Sequence, residues 1–374
     1  MGKYEAKHTA GKAEGGKKKH IVLWIVAAIL VVGVLYGVWF FTKTPDHDVV
    51  GFPTDEQPSH NVVTNPGAPG DNDSSNDPQG GQASDPNTNT DKPVVKRELK
   101  KGVYTFLLAG TADGYNTDTM MLCYVDTIAK SVKLVSVNRD TQIYAPDYVS
   151  IPKINGVYGW ASEDVKCETM CGKVTEITGV PINYYMVINM NSFKRVIDMI
   201  GGVEYTVPFD MVHPDTNELY DINLPAGRRV LNGNEALQFV RYRSTSENDF
   251  GRVNRQKDFL VATIKQVLQK FSVGQIEEYI EIFNENVKTN MSVQDMVWFF
   301  LNVAAKMDFD EGMSTDTLPY ASVGYWTNPN AQKYKTQSYV YLDPQQIVDY
   351  VNANLNPYTT DITTDDVRIP HLEN

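Results

Sequence analysis

The sequence predicts an α/β domain, an α/β/α sandwich around a central mixed sheet, preceded by one transmembrane helix and a disordered linker. Three observations predict it. Beyond residue 100, apolar β-prone runs alternate with segments of helical periodicity, as when helices pack on both sides of a sheet. Residues 21–41 run for 21 positions without a charge, enough to cross a bilayer at about 1.5 Å rise per residue. Between these, residues 44–91 are rich in Pro, Gly, Asn, Asp and Ser, with Phe52 their only aromatic. Such a composition buries too little apolar surface to offset its chain entropy.

The N-terminal elements come first. Residues 1–19 carry lysines at 3, 7, 12, 17, 18 and 19 against Glu5 and Glu14. Positive charge stays on the cytoplasmic side, so the tail 1–19 is inside and everything after the anchor, 20–42, is outside. Trp24, Tyr36 and Trp39 lie towards the ends of the span, where amphipathic rings favour the membrane interface. Phe40-Phe41-Thr42-Lys43-Thr44 offers no small-residue cleavage site, so the span reads as an uncleaved signal-anchor in the cell membrane. The linker, 43–99, is expected to be a spacer that lifts the domain off the membrane.

The domain proper starts near residue 100. Runs at 103–109, 119–125 and 132–137 read as a strand meander. Residues 163–178 read as a helix ending before Gly179-Val180-Pro181, and 184–190 as another strand. Asn191 is the expected cap of a helix whose Phe193, Val196, Ile197 and Ile200 line one face and which Gly201-Gly202 stops. Residues 203–207 are again extended, and 231–240 form a short helix. The next helix, with Asp249 as its N-cap, has Leu260, Ile264, Val267, Leu268 and Phe271 as its buried stripe. From 272 a C-terminal extension packs on the domain 100–271, with helices near 293–304 and 344–355.

The chain has 374 residues, 42% hydrophobic content and a formal net charge of -12. That balance opposes nonspecific nucleic-acid binding, which needs a basic face. Cys123, Cys167 and Cys171 are too few for a disulfide framework. With no histidine cluster nearby, Cys167 and Cys171 read as ordinary thiols, or as one local disulfide outside the cell.

Against this acidic background, four of ten arginines fall between Arg241 and Gln256. Arginine presents a planar fork of donors that matches phosphate or carboxylate oxygens. Arg241 and Arg243 are two apart, so an extended backbone would aim both at one face. Carried backwards, the helix stripe meets Gln256, then Arg252 and Val253, making the inward face polar at the helix start. Free amides, the helix dipole and inward Arg and Gln together suit an anion. The alternative is a solvated surface on which the arginines pair with Glu247 and Asp249. Two Asp-Thr pairs, Asp118-Thr119 and Asp140-Thr141 after Arg139, stand at strand ends. Such carboxylates can share Mg²⁺ with phosphate oxygens, though a lone Asp-Thr is more often a turn.

An ordered set of words ties these pieces together: Asn116-Thr117-Asp118-Thr119-Met120-Met121, Leu134-Val135-Ser136-Val137-Asn138-Arg139-Asp140-Thr141 and Lys153-Ile154-Asn155. They continue with Leu231-Asn232-Gly233-Asn234-Glu235-Ala236-Leu237, Val240-Arg241-Tyr242-Arg243, and Asp249-Phe250-Gly251-Arg252-Val253-Asn254-Arg255-Gln256. In this order they resemble the LytR-CpsA-Psr family of cell-wall phosphotransferases. The resemblance implies transfer of a glycopolymer, of teichoic-acid or capsular-polysaccharide type, from a polyprenyl-pyrophosphate carrier to peptidoglycan through a phosphodiester. It implies Mg²⁺ (or Mn²⁺) at Asp118, and pyrophosphate binding by Arg139, Arg241, Arg243, Arg252 and Gln256. Asp249 is the implied activator of the acceptor hydroxyl. Two positions depart from the family pattern. Ala112 stands where a carboxylate is common, leaving Asp113 as the expected second metal ligand, and Asn116 stands where arginine is common. A non-catalytic module that binds lipid carrier or wall polymer is the other reading; with about 19 residues inside, a DNA-reading domain is not.

Overall fold

Six strands build the central sheet, and their order fixes where a site can form. In a computed structural model, describing residues 43–50, 97–111, 114–145, 152–217, 221–243, 248–270, 281, 283–327 and 336–370, the expected meander is present. It consists of β1 (Val103–Thr111), β2 (Thr117–Asp126) and β3 (Ser131–Ser136), paired antiparallel in turn. β1 is apolar along most of its length because both its faces are covered, as in a central strand. The Asp126 side chain accepts from the Ile128 and Ala129 amides at 2.8 Å, which sets the β2–β3 turn. β4 (Tyr184–Asn189) returns parallel to β1, and β9 (Val287–Thr289) and β10 (Met313–Thr317) complete the order β10-β3-β2-β1-β4-β9. The sheet is mixed, and two of its strands come from beyond residue 271.

Register decides the faces. Residues directly opposite one another share a face, so Leu107, Leu122, Val135 and Tyr185 point one way. α1 (Lys166–Thr178) covers that face with Cys167, Met170, Cys171, Val174 and Ile177, spaced three and four apart as one stripe of a helix must be. It ends at Gly179, whose φ of 68° is the left-handed cap. The last described helix, α6 (Pro344–Asn354), adds Ile347, Val348 and Val351 to the same core.

The opposite face meets α4 (Asn248–Lys270), which reaches Thr119 of β2 and Thr317 of β10. A second core lies beside it, built by α2 (Met190–Met199), α3 (Gly233–Arg241) and two hairpins. The hairpins are β5 (Val203–Val207) with β8 (Gly227–Leu231), and β6 (Met211–His213) with β7 (Ile222–Leu224). Residues 203–207 are therefore extended as expected, but outside the central sheet. Ile197, Val203, Leu231, Phe239 and Phe259 form the centre of this core.

Several local expectations are corrected. Asn189 caps α2, not Asn191: it keeps an extended backbone at the end of β4 while its side chain accepts from the Ser192 amide at 2.8 Å. α3 starts after Asn232, whose side chain and that of Glu235 satisfy each other's amides in a capping box. α4 begins at Asn248, so Asp249 sits in its first turn and not at the cap. The inward face of α4 runs through Arg252, Arg255 and Phe259, all buried, while Leu260, Ile264 and Val267 are only partly so. Its centre is one residue earlier than the apolar stripe suggests, because polar side chains fill the inner face near the sheet. The side chain of Leu268 and all of Phe271 lie outside the described residues.

The expected tail and anchor, 1–19 and 20–42, also lie outside the described residues, among which no helix is long and apolar enough to cross a membrane. The two described ends of the linker are not free spacer. The Val50 amide donates to the Ile182 carbonyl at 2.7 Å, the Asp48 carbonyl accepts from Asn183, and His47 stacks on Tyr104 at 4.2 Å. At the other end, Arg97 pairs with Asp366 at 2.9 Å. By contact, the described residues divide into two units: one within His47–Asn290 and Met307–Asn374, which holds the sheet and both cores, and a smaller one of Met291–Lys306 with 43–46. In the smaller unit, α5 (Val293–Asn302) starts at a Ser292–Asp295 capping box and sets Trp298 edge-on to Phe299 at 5.3 Å.

Candidate active site

The site begins where β3 ends. Arg139 follows that strand by three residues, and its Nη1 donates to Asp118 Oδ1, at the start of β2, across 2.6 Å. The Asp118 side chain keeps 33% exposure and Arg139 22%, so the pair is open to solvent rather than sealed in the core. Asn138 turns the backbone: its side chain accepts from the Asp140 amide at 2.9 Å.

The second Asp-Thr pair is used differently. Asp140 Oδ1 accepts from Lys153 Nζ at 2.9 Å, and the Lys153 side chain is only 11% exposed. Its ammonium also lies 5.0 Å from the centre of the Tyr339 ring, within reach of a cation–π attraction. Thus Asp118 remains partly open while Asp140 is held by an internal cation. The Thr141 hydroxyl is buried without a hydrogen-bond partner among the described residues.

From the other side comes α4. Thr119 Oγ1 donates to Gln256 Oε1 at 3.0 Å, and Gln256 Nε2 donates to the Val240 carbonyl at 3.0 Å. Gln256 therefore joins the residue after Asp118 to the residue before Arg241. Arg255 Nη2 donates to the Tyr242 carbonyl at 2.6 Å, and its guanidinium lies 5.6 Å from the Tyr242 ring centre. Arg252, one turn before Gln256, is 4% exposed. Lys257 is buried as well; its Nζ donates to Thr317 Oγ1 at 3.1 Å, and burial lowers its pKa from the ordinary lysine value.

Of the predicted residues, the structure brings together Asp118, Arg139, Gln256 and the end of α3 that carries Arg241, with Arg252 on the inward face of α4. It does not give Arg241 and Arg243 one extended run: Arg241 is the last helical residue, Tyr242 turns extended with ψ 136°, and Arg243 is exposed beyond it. The helix persists one residue longer than expected because the Tyr242 amide still reaches the Gln238 carbonyl at 3.0 Å. Asp249 is in the first turn of α4. Asp113, with Ala112, lies outside the described residues.

Sequence reasoning left four neighbours without a role: Lys153, Arg255, Lys257 and Tyr339. Lys153 belongs to the Lys153-Ile154-Asn155 word, whereas Arg255 lies off the apolar stripe of Leu260 and Ile264 and carries no signal of its own. Nothing local marks Tyr339, whose contact depends on chain folding across nearly two hundred positions. The three cysteines are free and buried. Cys167 and Cys171 form no disulfide, and burial raises both thiol pKa values.

The donor set around Asp118 can be tested against a hard cation. Among the described residues no group of three or more His, Cys, Asp or Glu side chains converges. Asp118, partly exposed and paired with Arg139, is the one carboxylate there that could share Mg²⁺ with substrate phosphate oxygens, the setting in which one or two carboxylates suffice.

Comparison with known proteins gives a consistent family. The LytR_cpsA_psr family model matches residues 73–355. The polyisoprenyl-teichoic acid–peptidoglycan teichoic acid transferase TagV of Bacillus subtilis (strain 168) is 32% identical over 209 residues, covering 53% of this chain and 52% of that protein. The cell wall biosynthesis protein LcpA of Corynebacterium glutamicum is 28% identical over 242 residues, covering 58% and 45%. The chain thus spans about half the length of these curated relatives. The crystal structure of B. subtilis TagV matches with a TM-score of 0.54 and 27% identity, over 67% of this chain and 94% of that one. TagT bound to LIIa-WTA matches in fold, with a TM-score of 0.52 and 20% identity over 70% and 92%.

Proposed function

Because this chain belongs to the LytR-CpsA-Psr family, we propose that it is a membrane-anchored extracellular transferase acting on cell-wall glycopolymers. Its substrate is a teichoic-acid or capsular-polysaccharide type polymer on a polyprenyl-pyrophosphate carrier, and its acceptor is a peptidoglycan sugar hydroxyl. Residues 20–42 anchor it in the cell membrane of a Gram-positive type envelope, with the N-terminus inside. The observation that carries the reading is the joining of Asp118, Arg139 and the Arg241 end of α3 through Gln256.

The chemistry asks for placement and charge neutralisation more than for covalent help from the protein. The acceptor oxygen bonds to the polymer's phosphorus, the pyrophosphate P–O bond breaks, and polyprenyl phosphate leaves with the electron pair. Arg139, Arg241, Arg243 and Arg252 bind the pyrophosphate oxygens, and Gln256 adds a neutral hydrogen-bonding group. Mg²⁺ (or Mn²⁺), held by Asp118 with Asp113 as the second expected carboxylate, would neutralise charge on the same oxygens. Asp249, in the first turn of α4, takes the acceptor proton.

The test is direct. Full-length protein in Mg²⁺ buffer, given a lipid-pyrophosphate-linked glycan and a peptidoglycan oligomer, should release polyprenyl phosphate and yield linked product. Arg241→Ala should abolish this while the circular dichroism spectrum stays native. Tight carrier binding without any turnover would establish the other reading, a non-catalytic module, which Ala112 and Asn116 favour.

A further inference from the structure

Among the described residues, two carboxylates lie within reach of Arg139. Its Nη1 is 2.6 Å from Asp118 Oδ1, and its Nε is 4.0 Å from Asp140 Oδ2. The backbone cannot decide between them, because it is held on both sides. Ile154 and Asn155 amides donate to the Thr141 and Arg139 carbonyls at 2.9 and 3.2 Å. From β11 (Thr336–Tyr341), Val340 exchanges hydrogen bonds with Asp140 and Gln142 at 3.0 and 2.9 Å. With the main chain fixed, the choice is left to side-chain charge.

Lys153 supplies that charge. Its ammonium sits 2.9 Å from Asp140 Oδ1, is backed by the Tyr339 ring, and is the most buried member of the row Asp118, Arg139, Asp140, Lys153. Buried cations with a good partner are costly to leave unpaired, so this one holds Asp140 firmly. We infer that Lys153 is a positioning residue for the transfer site: by occupying Asp140 it keeps the Arg139 guanidinium turned to Asp118, where an incoming pyrophosphate can take it. Without Lys153, Asp140 is a free carboxylate beside its own chain neighbour and captures Arg139. Tyr339 supports the arrangement by fixing the ammonium from behind. The inference rests on the proposed function only for the identity of the anion; the side-chain arrangement itself is independent of it.

The experiment compares Lys153→Met, Lys153→Arg, Tyr339→Leu and the double variant Lys153→Met/Asp140→Asn in the full chain. Two readouts are taken: inorganic pyrophosphate binding in Mg²⁺ by calorimetry, and crystal structures showing which carboxylate Arg139 contacts. Loss of one charge-assisted contact predicts binding about ten- to a hundredfold weaker in Lys153→Met, with Arg139 moved onto Asp140. Lys153→Arg should stay near wild type and Tyr339→Leu should fall between. The double variant, which removes the capturing carboxylate and any unpaired charge that hinders folding, should regain pyrophosphate binding with Arg139 back on Asp118. A merely structural lysine would lower the melting temperature and leave affinity unchanged; that result, or Arg139 still on Asp118 in Lys153→Met, overturns the inference. If wild-type protein binds no pyrophosphate, the functional reading fails, and the position of Arg139 in the variants still decides this one.

Discussion

Thr119 and Arg241 stand on opposite sides of the site, and a single side chain, Gln256, joins Thr119 to the carbonyl just before Arg241, with 3.0 Å at each end. This bridge makes the candidate site a meeting of sheet and helix rather than a property of one loop. Thr119→Val and Gln256→Leu should each destabilise the protein by about 1 kcal/mol, the usual net worth of such a bond. The double variant should cost less than the sum, by about 0.5 kcal/mol or more. Urea unfolding of the four proteins measures the coupling, and strict additivity would show the bridge is not made in solution.

Arg139 should be the residue most sensitive to conservative change. Arg139→Ala removes a charge-bearing donor and should slow transfer about 10²- to 10³-fold, as loss of one transition-state donor does. Arg139→Lys should recover only part of this, because an ammonium cannot reproduce the planar fork. Single-turnover rates at saturating lipid carrier separate chemistry from binding.

Gly233 opens α3 against α2, and a methyl group there would come within 2.3 Å of the Lys194 carbonyl oxygen and 2.8 Å of Asp198. The oxygen belongs to the backbone and cannot rotate away. Gly233→Ala should therefore cost about 1–3 kcal/mol and shift α3, lowering both the melting temperature and transfer activity. Thermal unfolding with a parallel assay reads both; an unchanged melting temperature would contradict this packing.

Acid should weaken one link between α1 and β9. Glu163 accepts from Lys166 and, at 2.6 Å, from Lys288, and these bonds lower its pKa from 4.5 to about 2. A depressed carboxylate contributes stability above its unfolded pKa and loses it as pH falls through the folded value. The contribution should thus be complete above about pH 5 and vanish towards pH 2. In Glu163→Gln the melting temperature should decline less across that window, as differential scanning calorimetry can show.

The thiols should be silent in the native state. Burial pushes Cys123 up to about 12 and raises Cys167 and Cys171 as well, so little thiolate exists at pH 8. Ellman's reagent should find none reacting rapidly in native protein and all three after unfolding in guanidinium.

Much of the fold was legible because it is written in short-range patterns. The meander of β1 to β3 follows from apolar runs, and the Gly201-Gly202 stop follows from their positive φ values of 75° and 78°. The site was half legible. Arg252 and Gln256 were placed inward by helix periodicity, and Asp118 and Arg139 by strand ends. Arg241 and Arg243 share no extended run because helix and extended chain differ there by one hydrogen bond, from the Tyr242 amide to the Gln238 carbonyl. Asp140 resembled Asp118 in sequence, yet its partner Lys153 and the ring behind it come from other segments. Asn189 won the cap from Asn191 because only a residue still extended at a strand end can turn its side chain back over the first helical amides.

The docked ends of the long polar segment alter what its length means. Val50 is tied to Ile182 and Arg97 to Asp366, so the residues that flank this segment on either side are both held by the domain. Between two fixed points, the number of intervening residues enters as a loop-closure entropy, which grows only slowly with length. Halving the segment would change that entropy by only about 0.6 kcal/mol, so evolution could lengthen or trim it at little thermodynamic consequence to the domain that carries it.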